Sequence, residues 1–197
     1  RMRAVNPDLN AVVEDLSDEA LDHARALDKL RASGAPTGPL HGVPLTIKDA
    51  LCTEGLTTVG GIPQCRDYVP KENATAVQAY VDAGAVIFGK TNVPYLSSDL
   101  QSYNEVYGTT NNPWNEERTC GGSSGGAASA LAAGLTPLEL GSDIGGSIRT
   151  PSHWCGVFGH KPSHGIVPLK GHIPDAPGTL AMPDLGVAGP LAKTPED

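Results

Sequence analysis

Two glycine-rich stretches decide how this sequence folds: Gly121-Gly-Ser-Ser-Gly-Gly-Ala-Ala-Ser-Ala-Leu-Ala-Ala-Gly134 and Leu140-Gly-Ser-Asp-Ile-Gly-Gly-Ser-Ile-Arg149. Each holds a serine in a tight glycine turn, Ser123 in the first and Ser147 in the second, 24 residues apart. Residues 127–133 are rich in alanine and leucine and predict a helix that ends at Gly134, whereas residues 138–140 predict a strand. Because a helix followed by a strand returns the chain on itself, we expect the two turns to meet.

Strands and helices alternate on the N-terminal side of these stretches. Residues 10–13 and 45–47 predict short strands, the second leading into Lys48, and residues 85–88 predict a buried strand. Residues 74–83 predict a helix, residues 98–117 predict a loop, and the chain beyond Pro162 reads as glycine- and proline-rich to its end. Alternating strands and helices predict an α/β fold.

A further helix is predicted between these strands, with Ser17 as its N-cap and acidic residues in its first turn. We expect this helix to end near Gly34. Its apolar residues fall on one helical face: Leu16, Leu21, Ala24, Leu27 and Leu30.

Composition excludes several classes of function. The 197 residues carry 14 Lys and Arg against 22 Asp and Glu, a net charge of −8, which argues against nucleic acid or an anionic membrane as partner. No apolar run approaches the roughly 18 residues that cross a bilayer, and the N-terminal residues lack the apolar stretch of a secretory signal. None of the four cysteines forms a C-x-x-C pair. We therefore expect a cytoplasmic protein with isolated thiols and no metal site.

One short motif is a false match to a nucleotide site. Gly84-Ala-Val-Ile-Phe-Gly-Lys-Thr91 fits the P-loop pattern letter for letter. A P-loop needs a flexible loop between a strand and a helix, but these four variable positions are apolar and predict a buried strand. Pro94 follows too soon for the required helix, so we do not expect nucleotide binding.

A second motif, Gly122-Ser-Ser-Gly-Gly126, fits the nucleophile elbow G-x-S-x-G with Ser124 as nucleophile. That elbow needs a strand before the serine, and residues 115–120 do not predict one. The alternative stays open because candidate histidines follow in the sequence: His153, His160, His164 and His172.

The two stretches together, with segments on either side, resemble the amidase signature family. The matching segments follow in the family's order from about residue 38 onward: Gly42-Val-Pro-Leu-Thr-Ile-Lys-Asp49, Gly89-Lys-Thr-Asn92, Asn112-Pro-Trp114, Cys155-Gly-Val-Phe-Gly-His-Lys-Pro162 and Gly189-Pro-Leu191. The resemblance implies an α/β fold in which a mixed β-sheet is flanked by helices on both faces. It also implies an enzyme that hydrolyses the C–N bond of a carboxylic amide.

The resemblance further implies a Ser–cis-Ser–Lys mechanism without a cofactor or metal. Ser147 would be the nucleophile, Ser123, next to a cis peptide bond, the bridging hydroxyl, and Lys48 the base. Lysine acts as a base only when neutral, so burial must lower its pKa. The apolar neighbours of Lys48 agree with this, whereas a charge on Asp49 would oppose it if both faced one pocket.

The residues around Ser147 suggest how the oxyanion and the turn are held. The amides of Ile144, Gly145, Gly146 and Ser147 form a run that can face an oxyanion. We expect Asp143 and Arg149 to hold this turn by pairing with each other. Cys120 is interpreted as a small wall residue, because no nearby group would lower its pKa.

Members of the resembled family are usually more than twice this length. The chain is therefore expected to be part of a catalytic domain, residues 1–197, truncated at both ends and without its C-terminal half. A small-molecule amide is the expected substrate, and a second polypeptide carrying the remaining residues, or a second copy in a homodimer, is the expected partner. Two alternatives remain: the amidase subunit of a tRNA-dependent glutamine amidotransferase, and a non-catalytic member on the same scaffold.

Overall fold

The computed structural model describes residues 1–173 and 184–197. In these ranges the strands are β1 (Val12–Asp15), β2 (Pro44–Lys48), β3 (Val86–Thr91), β4 (Tyr103–Asn104), β5 (Gly108–Thr109), β6 (Asn111–Asn112), β7 (Asn115–Thr119), β8 (Leu138–Asp143), β9 (Phe158–Gly159) and β10 (Val187–Ala192). The α-helices in the same ranges are α1 (Met2–Leu9), α2 (Ser17–Ala32), α3 (Thr75–Asp82), α4 (Gly125–Ala132) and α5 (Arg149–Cys155). Short 3₁₀ turns lie at Pro63–Cys65 and Tyr95–Ser97.

A mixed sheet with the strand order β1-β3-β2-β8-β10-β9 forms the centre of the described chain. β2 runs parallel to both β3 and β8, whereas β1, β10 and β9 pair antiparallel with their neighbours. Leu45, Thr46, Ile47 and Lys48 are all fully buried, because a central parallel strand is covered on both faces. Lys48, the last residue of β2, therefore stays out of solvent at the carboxyl end of the sheet.

Helices cover both faces of the sheet. On one face, α3 packs through Val77 against a core that includes Leu45, Ile47 and Leu140. On the other face, α4 and α5 pack around Leu131, Ile148 and Leu191. The predicted mixed sheet with helices on both faces is confirmed.

Helix α4 packs closely against the sheet because its first two residues, Gly125 and Gly126, have no side chains. A Cβ atom on Gly126 would overlap the amide nitrogen of Asn92 and lie 2.7 Å from the carbonyl oxygen of Ala11. The glycines of the Gly121–Gly126 stretch therefore let the helix, and the serines before it, reach the strand ends.

Several elements differ from the sequence prediction. Helix α1, helix α5 and strand β10 were not predicted, and β10 lies in the region beyond Pro162 that was read as glycine- and proline-rich. β10 forms because Val187 to Ala192 pair with β8 over the whole length of both strands. Its pattern is short and holds a glycine and a proline, so tertiary pairing rather than local propensity decides it.

The predictions for α2 and for the segment before Cys120 also need correction. The N-cap of α2 is Leu16 rather than Ser17, because Asp15 accepts a hydrogen bond from the Ser17 amide at 2.9 Å. The apolar face is only partly buried: Leu16, Ala24 and Leu27 are half-buried, whereas Leu21 is 53% and Leu30 44% exposed. Ala20 is the buried residue of the helix. Residues 115–119, predicted not to be a strand, form β7, which pairs with β6 in a solvent-exposed hairpin.

No helix in residues 1–173 or 184–197 has both the length and the apolar composition that a bilayer crossing demands.

Candidate active site

Lys48 lies at the centre of a group of hydroxyls. Its Nζ atom is 2.6 Å from Ser123 Oγ and 2.9 Å from Ser142 Oγ, and the side chain is fully buried. Burial lowers the pKa of Lys48 to about 7, although the charges of Asp143 and Glu139 act in the opposite direction. At neutral pH a substantial fraction of this lysine is an uncharged amine that can accept a proton.

Asp49, the neighbour that could have opposed this effect, faces another cluster. Its carboxylate accepts hydrogen bonds from the amides of Val59 and Gly60 and lies 4.0 Å from Lys90 Nζ. Burial raises the pKa of Asp49 to about 7, more than Lys90 and these amides lower it. Asp49 therefore anchors the loop after β2 and does not hold Lys48 in its charged form.

The two serine turns meet, as the helix–strand return predicted. The amide of Ser124 donates to the carbonyl oxygen of Ser147 at 3.0 Å, so the residues next to Ser123 contact the second turn directly. The Gly122–Ser123 peptide bond is cis. Ser123 is buried beside Lys48, whereas Ser147 is half-buried at the surface of the turn.

One amide in the run after β8 already has an acceptor inside the protein, which corrects the prediction that all four amides can face an oxyanion. The Gly146 amide donates to Asp143 Oδ1 at 2.9 Å, so it already has an acceptor inside the protein. Ile144 is 48% exposed, and a Cβ atom built on Gly145 meets no atom within 4 Å. The amides that remain for an oxyanion are those of Ile144, Gly145 and Ser147.

Asp143 holds the Ser147 turn from inside, as predicted. Arg149 donates to both of its carboxylate oxygens, at 2.9 and 3.1 Å, and the Ile148 amide donates at 2.9 Å. Burial alone would raise the pKa of Asp143, but the hydrogen bonds from Arg149 and the turn amides outweigh it and hold the pKa at about 2. The turn therefore keeps a charged anchor at pH values well above 2.

Two residues of this site were not predicted. Ser142 Oγ lies 2.9 Å from Lys48 Nζ, and His172 Nε2 lies 2.6 Å from the same Ser142 oxygen. Ser142 stands inside the second glycine-rich stretch, so its proximity to the site was a usable signal. His172 lies in a glycine- and proline-rich segment with no periodicity, and nothing local marks it.

The competing motifs do not form sites of their own. Gly89, Lys90 and Thr91 are strand residues of β3, and Lys90 Nζ is buried against Leu51 O, Thr53 and Thr58. A strand offers no amide cradle for phosphate, so the P-loop reading is excluded.

Ser124 lacks the setting of a nucleophile elbow. Its hydroxyl is fully buried and lies 3.3 Å from the Ser142 carbonyl oxygen, and β7, the strand before it, belongs to a surface hairpin rather than to the central sheet. Burial raises the pKa of the Cys120 thiol to about 12, which agrees with a wall residue. In residues 1–173 and 184–197, no three His, Cys, Asp or Glu side chains gather as metal ligands would.

A cavity of about 600 Å³ lies between the segments at 61–64 and 94–105. Its wall includes Tyr95, Asp99 and Tyr103. A Cβ atom on Gly122 would lie only 2.5 Å from the Asp99 carbonyl oxygen, so this wall packs directly against the cis peptide bond.

Comparisons with known proteins agree with this geometry. The family model described as Amidase matches residues 1–197. The chain is 47% identical to an indoleacetamide hydrolase of Bradyrhizobium diazoefficiens, over 98% of this chain and 37% of that protein. It is 40% identical to a glutamyl-tRNA(Gln) amidotransferase subunit of Natranaerobius thermophilus, over 100% of this chain and 39% of that protein.

Solved structures give the same result. A bacterial aryl acylamidase of the amidase signature family superposes with a TM-score of 0.87 at 33% identity, over 98% of this chain and 39% of that one. The crystal structure of an amidase superposes with a TM-score of 0.84 at 37% identity, over 98% of this chain and 43% of that one. The chain thus spans about two fifths of the length of these relatives. By family model, sequence and fold, it belongs to the amidase family of hydrolases, the amidase signature enzymes.

Proposed function

We propose that the protein hydrolyses a carboxylic amide to an acid and ammonia or an amine, with Ser147 as nucleophile, Ser123 as bridging hydroxyl and Lys48 as base. The observation that carries the proposal is the 2.6 Å contact between Lys48 Nζ and Ser123 Oγ inside a fully buried site. A lysine whose pKa burial lowers to about 7 can take a proton from a hydroxyl at neutral pH.

In the proposed acylation step, neutral Lys48 takes the proton of Ser123, and Ser123 takes the proton of Ser147. Ser147 Oγ then bonds to the carbonyl carbon, and the negative charge moves to the carbonyl oxygen near the amides of Ile144, Gly145 and Ser147. When the C–N bond breaks, the leaving nitrogen receives the proton from Lys48 through Ser123. The product of this step is an ester between the acyl group and Ser147.

The proposed deacylation repeats these transfers with water. Water loses a proton to Ser123 and Lys48 as its oxygen bonds to the acyl carbon, and the ester bond to Ser147 then breaks. The acid leaves, and Ser147 Oγ recovers its proton from the same pair. No metal or cofactor is required by this sequence of steps.

A small primary amide is the first substrate class that we propose, because an indoleacetamide hydrolase is among the relatives and the wall beside Gly122 carries Tyr95 and Tyr103. Aromatic walls fit an aromatic acyl group. The second candidate is glutamine hydrolysis as the amidase subunit of an amidotransferase complex, which identities of 40% and 44% to such subunits favour. The two candidates differ in whether activity requires partner subunits.

Partner and location are also proposals. We propose that the substrate pocket is completed by further polypeptide, because the chain covers 37–39% of its curated relatives. Whether that polypeptide is a second chain or a second copy is decided by the mass of the purified assembly. The four cysteines, all within the described ranges, are thiols rather than disulfides, which is compatible with the cytoplasm as the proposed location.

The nucleophile is tested by covalent labelling of the enzyme at its full length. A fluorophosphonate probe is expected to label Ser147, and Ser147→Ala is expected to abolish labelling and to lower amide turnover by a factor on the order of 10⁶. The matched control is Ser124→Ala, one residue beyond Ser123, which is expected to keep the label. Labelling that survives in Ser147→Ala and disappears in Ser124→Ala would assign the nucleophile elbow instead.

Turnover of an amide panel then separates the candidates. Release of ammonia from an aryl-acetamide by the enzyme alone supports the first substrate class. Glutaminase activity that appears only after partner subunits are added supports the second. Absence of labelling and of turnover under both conditions would indicate a non-catalytic protein.

A further inference from the structure

His172 is connected to the base of the proposed mechanism through one hydroxyl. Its Nε2 atom lies 2.6 Å from Ser142 Oγ, and that oxygen lies 2.9 Å from Lys48 Nζ. Ser123, Lys48, Ser142 and His172 thus form a continuous chain of hydrogen-bonding groups. The mechanism proposed above uses the first two of these groups and leaves the last two without a role.

His172 is held in place by the segment that follows Lys48. Leu51 and His172 form an isolated antiparallel bridge, and the Cys52 amide donates to the Gly171 carbonyl oxygen at 2.8 Å. The His172 amide donates to the Leu169 carbonyl oxygen at 3.0 Å. The bridge to Leu51 and the hydrogen bond from Cys52 therefore hold the backbone of His172 beside the segment that follows β2.

The number of protons that Lys48, Ser142 and His172 can donate determines the direction of the Lys48 lone pair. A neutral lysine has two N–H groups and one lone pair, and a serine hydroxyl has one proton to give. If Ser142 gives its proton to His172, its oxygen can accept an N–H of Lys48, and the lysine lone pair is free for Ser123. If Ser142 instead gives its proton to Lys48, it occupies the lone pair that Ser123 needs.

We propose that His172 is a positioning residue which accepts the Ser142 proton at Nε2 and thereby directs the lone pair of Lys48 toward Ser123. The inference rests on the proposed function, because it gives Lys48 the role of base. In this arrangement the imidazole is neutral and carries its proton on Nδ1. His172 never contacts the substrate, and it acts only through Ser142 and Lys48.

The electrostatics of the site favour a neutral imidazole. Burial first, and the charge of Lys48 second, lower the pKa of His172 to about 3. A protonated His172 would have to donate a hydrogen bond to Ser142, and the direction of the hydrogen bond between these two residues would be reversed. The environment therefore favours the neutral imidazole, and a neutral ring with its proton on Nδ1 can accept at Nε2.

The test compares two substitutions of similar shape in the full-length enzyme. His172→Met fills the space with a thioether that is only a weak acceptor, and His172→Gln restores a strong acceptor at a position close to that of Nε2. We expect His172→Met to lower kcat by about 10- to 100-fold, the range typical of groups that orient a functional ligand, with KM changed less than about 2-fold. His172→Gln is expected to stay within about 3-fold of the wild-type kcat, because a polar contact of the same direction is kept.

Ser142→Ala is a second test of the hydrogen-bonded connection between His172 and Lys48. It is expected to lose as much kcat as His172→Met, and the double variant no more than either single one, since all three interrupt one chain. The tautomer is read without any variant: in protein labelled with ¹⁵N-histidine, Nε2 of His172 is expected to show the chemical shift of an unprotonated ring nitrogen.

The outcomes separate this inference from the proposed function. If Lys48→Ala is inactive while His172→Met turns over normally, His172 has no positioning role and the mechanism stands. A proton found on Nε2, or equal losses in His172→Met and His172→Gln, would also overturn the inference. If Lys48→Ala retains turnover, the proposed function itself is wrong.

Discussion

Two buried lysines on neighbouring strands show how the surroundings assign a role to one residue type. Lys90 donates to the Leu51 carbonyl oxygen, to Thr53 and to Thr58, and its ammonium lies 4.0 Å from Asp49. All of its protons thus have acceptors, and burial lowers the pKa of Lys90 although the charge of Asp49 raises it. In the described part of the chain, the hydrogen bonds of Lys48 go to the hydroxyls of Ser123 and Ser142, each of which can also donate to a neutral amine. This difference in partners supports the proposal that Lys48 is the base, whereas Lys90 has a structural role.

At the residue scale, we predict that amide hydrolysis by the full-length enzyme rises with pH through about 7, where Lys48 loses its proton. Burial lowers this pKa from 10.5 to about 7, so the active, neutral form is the majority above that value and is depleted below it. The measurement is kcat/KM against pH. Lys48→Ala is expected to remove nearly all turnover and most labelling of Ser147.

The controls for the pH profile are the exposed histidines. His153, His160 and His164 lie on the surface, and replacing each by alanine is expected to leave the profile in place. If one of these variants is inactive while Lys48→Ala is close to normal, a histidine is the base and the lysine mechanism is excluded.

At the scale of elements, strand β8 places two carboxylates beside Lys48 and gives them different states. Asp143 at its end is held charged by Arg149 and the turn amides, with a pKa of about 2. Glu139, four residues earlier, is fully buried, and burial raises its pKa to about 7 although the hydroxyls of Thr46 and Thr91 lower it. Asp143 holds a turn, whereas Glu139 destabilises the folded protein when it is ionised in its buried position.

We predict that Glu139→Gln stabilises the protein at alkaline pH. Between pH 4.5 and about 7 the unfolded chain releases the Glu139 proton that the folded protein keeps, so the stability of the wild type falls as pH rises through this window. Glutamine removes this loss. Denaturant unfolding is expected to give a gain on the order of 1–3 kcal/mol at pH 8 that disappears toward pH 4.5.

The same substitution has a second readout in activity. Because the charge of Glu139 raises the pKa of Lys48, Glu139→Gln is expected to move the rise of kcat/KM to lower pH. A stability gain that is equal at pH 4.5 and pH 8, with no movement of the activity profile, would contradict this account of Glu139.

Helix α4 and the turn after β8 offer a matched pair of glycine substitutions. Gly126→Ala places a methyl group against Asn92 and Ala11 and is expected to lose about 1–3 kcal/mol of stability, since no space exists for it. Gly145→Ala meets no atom within 4 Å and is expected to change stability by less than about 0.5 kcal/mol.

The two glycines should separate folding from function. Gly145→Ala is expected to lower kcat/KM because its methyl group enters the space in front of the proposed oxyanion amides. Thermal unfolding and amide turnover are measured together. Normal turnover in Gly145→Ala would remove this turn from the substrate site, and a fully stable Gly126→Ala would contradict the close packing of α4.

At the scale of the whole molecule, the central strands of the sheet are covered on both faces, whereas one edge of the sheet is exposed to solvent. β2 and β8 are covered on both faces, whereas the margin ends in β9, a strand of two residues with Phe158 53% exposed. Trp154 and Ile166 are 41% and 69% exposed in neighbouring parts of the chain. Apolar side chains beside a short edge strand favour association with further polypeptide.

We predict that the 197-residue chain made by itself associates with itself and does not hydrolyse amides. The reason is the exposed apolar margin, together with a length of about two fifths of the relatives. Size-exclusion chromatography and fluorophosphonate labelling measure the two parts of this prediction. A monomer that unfolds cooperatively and turns over an amide would refute it.

The sequence by itself determined the parts of this protein that depend on local pattern and on long matched motifs. Strand β2, helices α3 and α4 and the approach of the Ser123 and Ser147 turns follow from periodicity, glycine positions and the order of elements along the chain. The same stretches bring Lys48 and Ser123 together and are the basis of the proposal that Ser147 belongs to the same site. The Asp143–Arg149 pair was also predictable, because both residues flank a single short turn.

Only the tertiary structure decided the rest. Strand β10 exists because β8 offers it a partner, and its own residues do not require a strand. Gly146 gives its amide to Asp143, and Asp49 turns toward Lys90, because side-chain direction at a strand end depends on what packs there. His172 reaches Ser142 from 30 residues away through backbone bonds to the segment after Lys48. Such contacts join groups that are distant in sequence and leave no periodic trace, so they emerge only when the chain is folded.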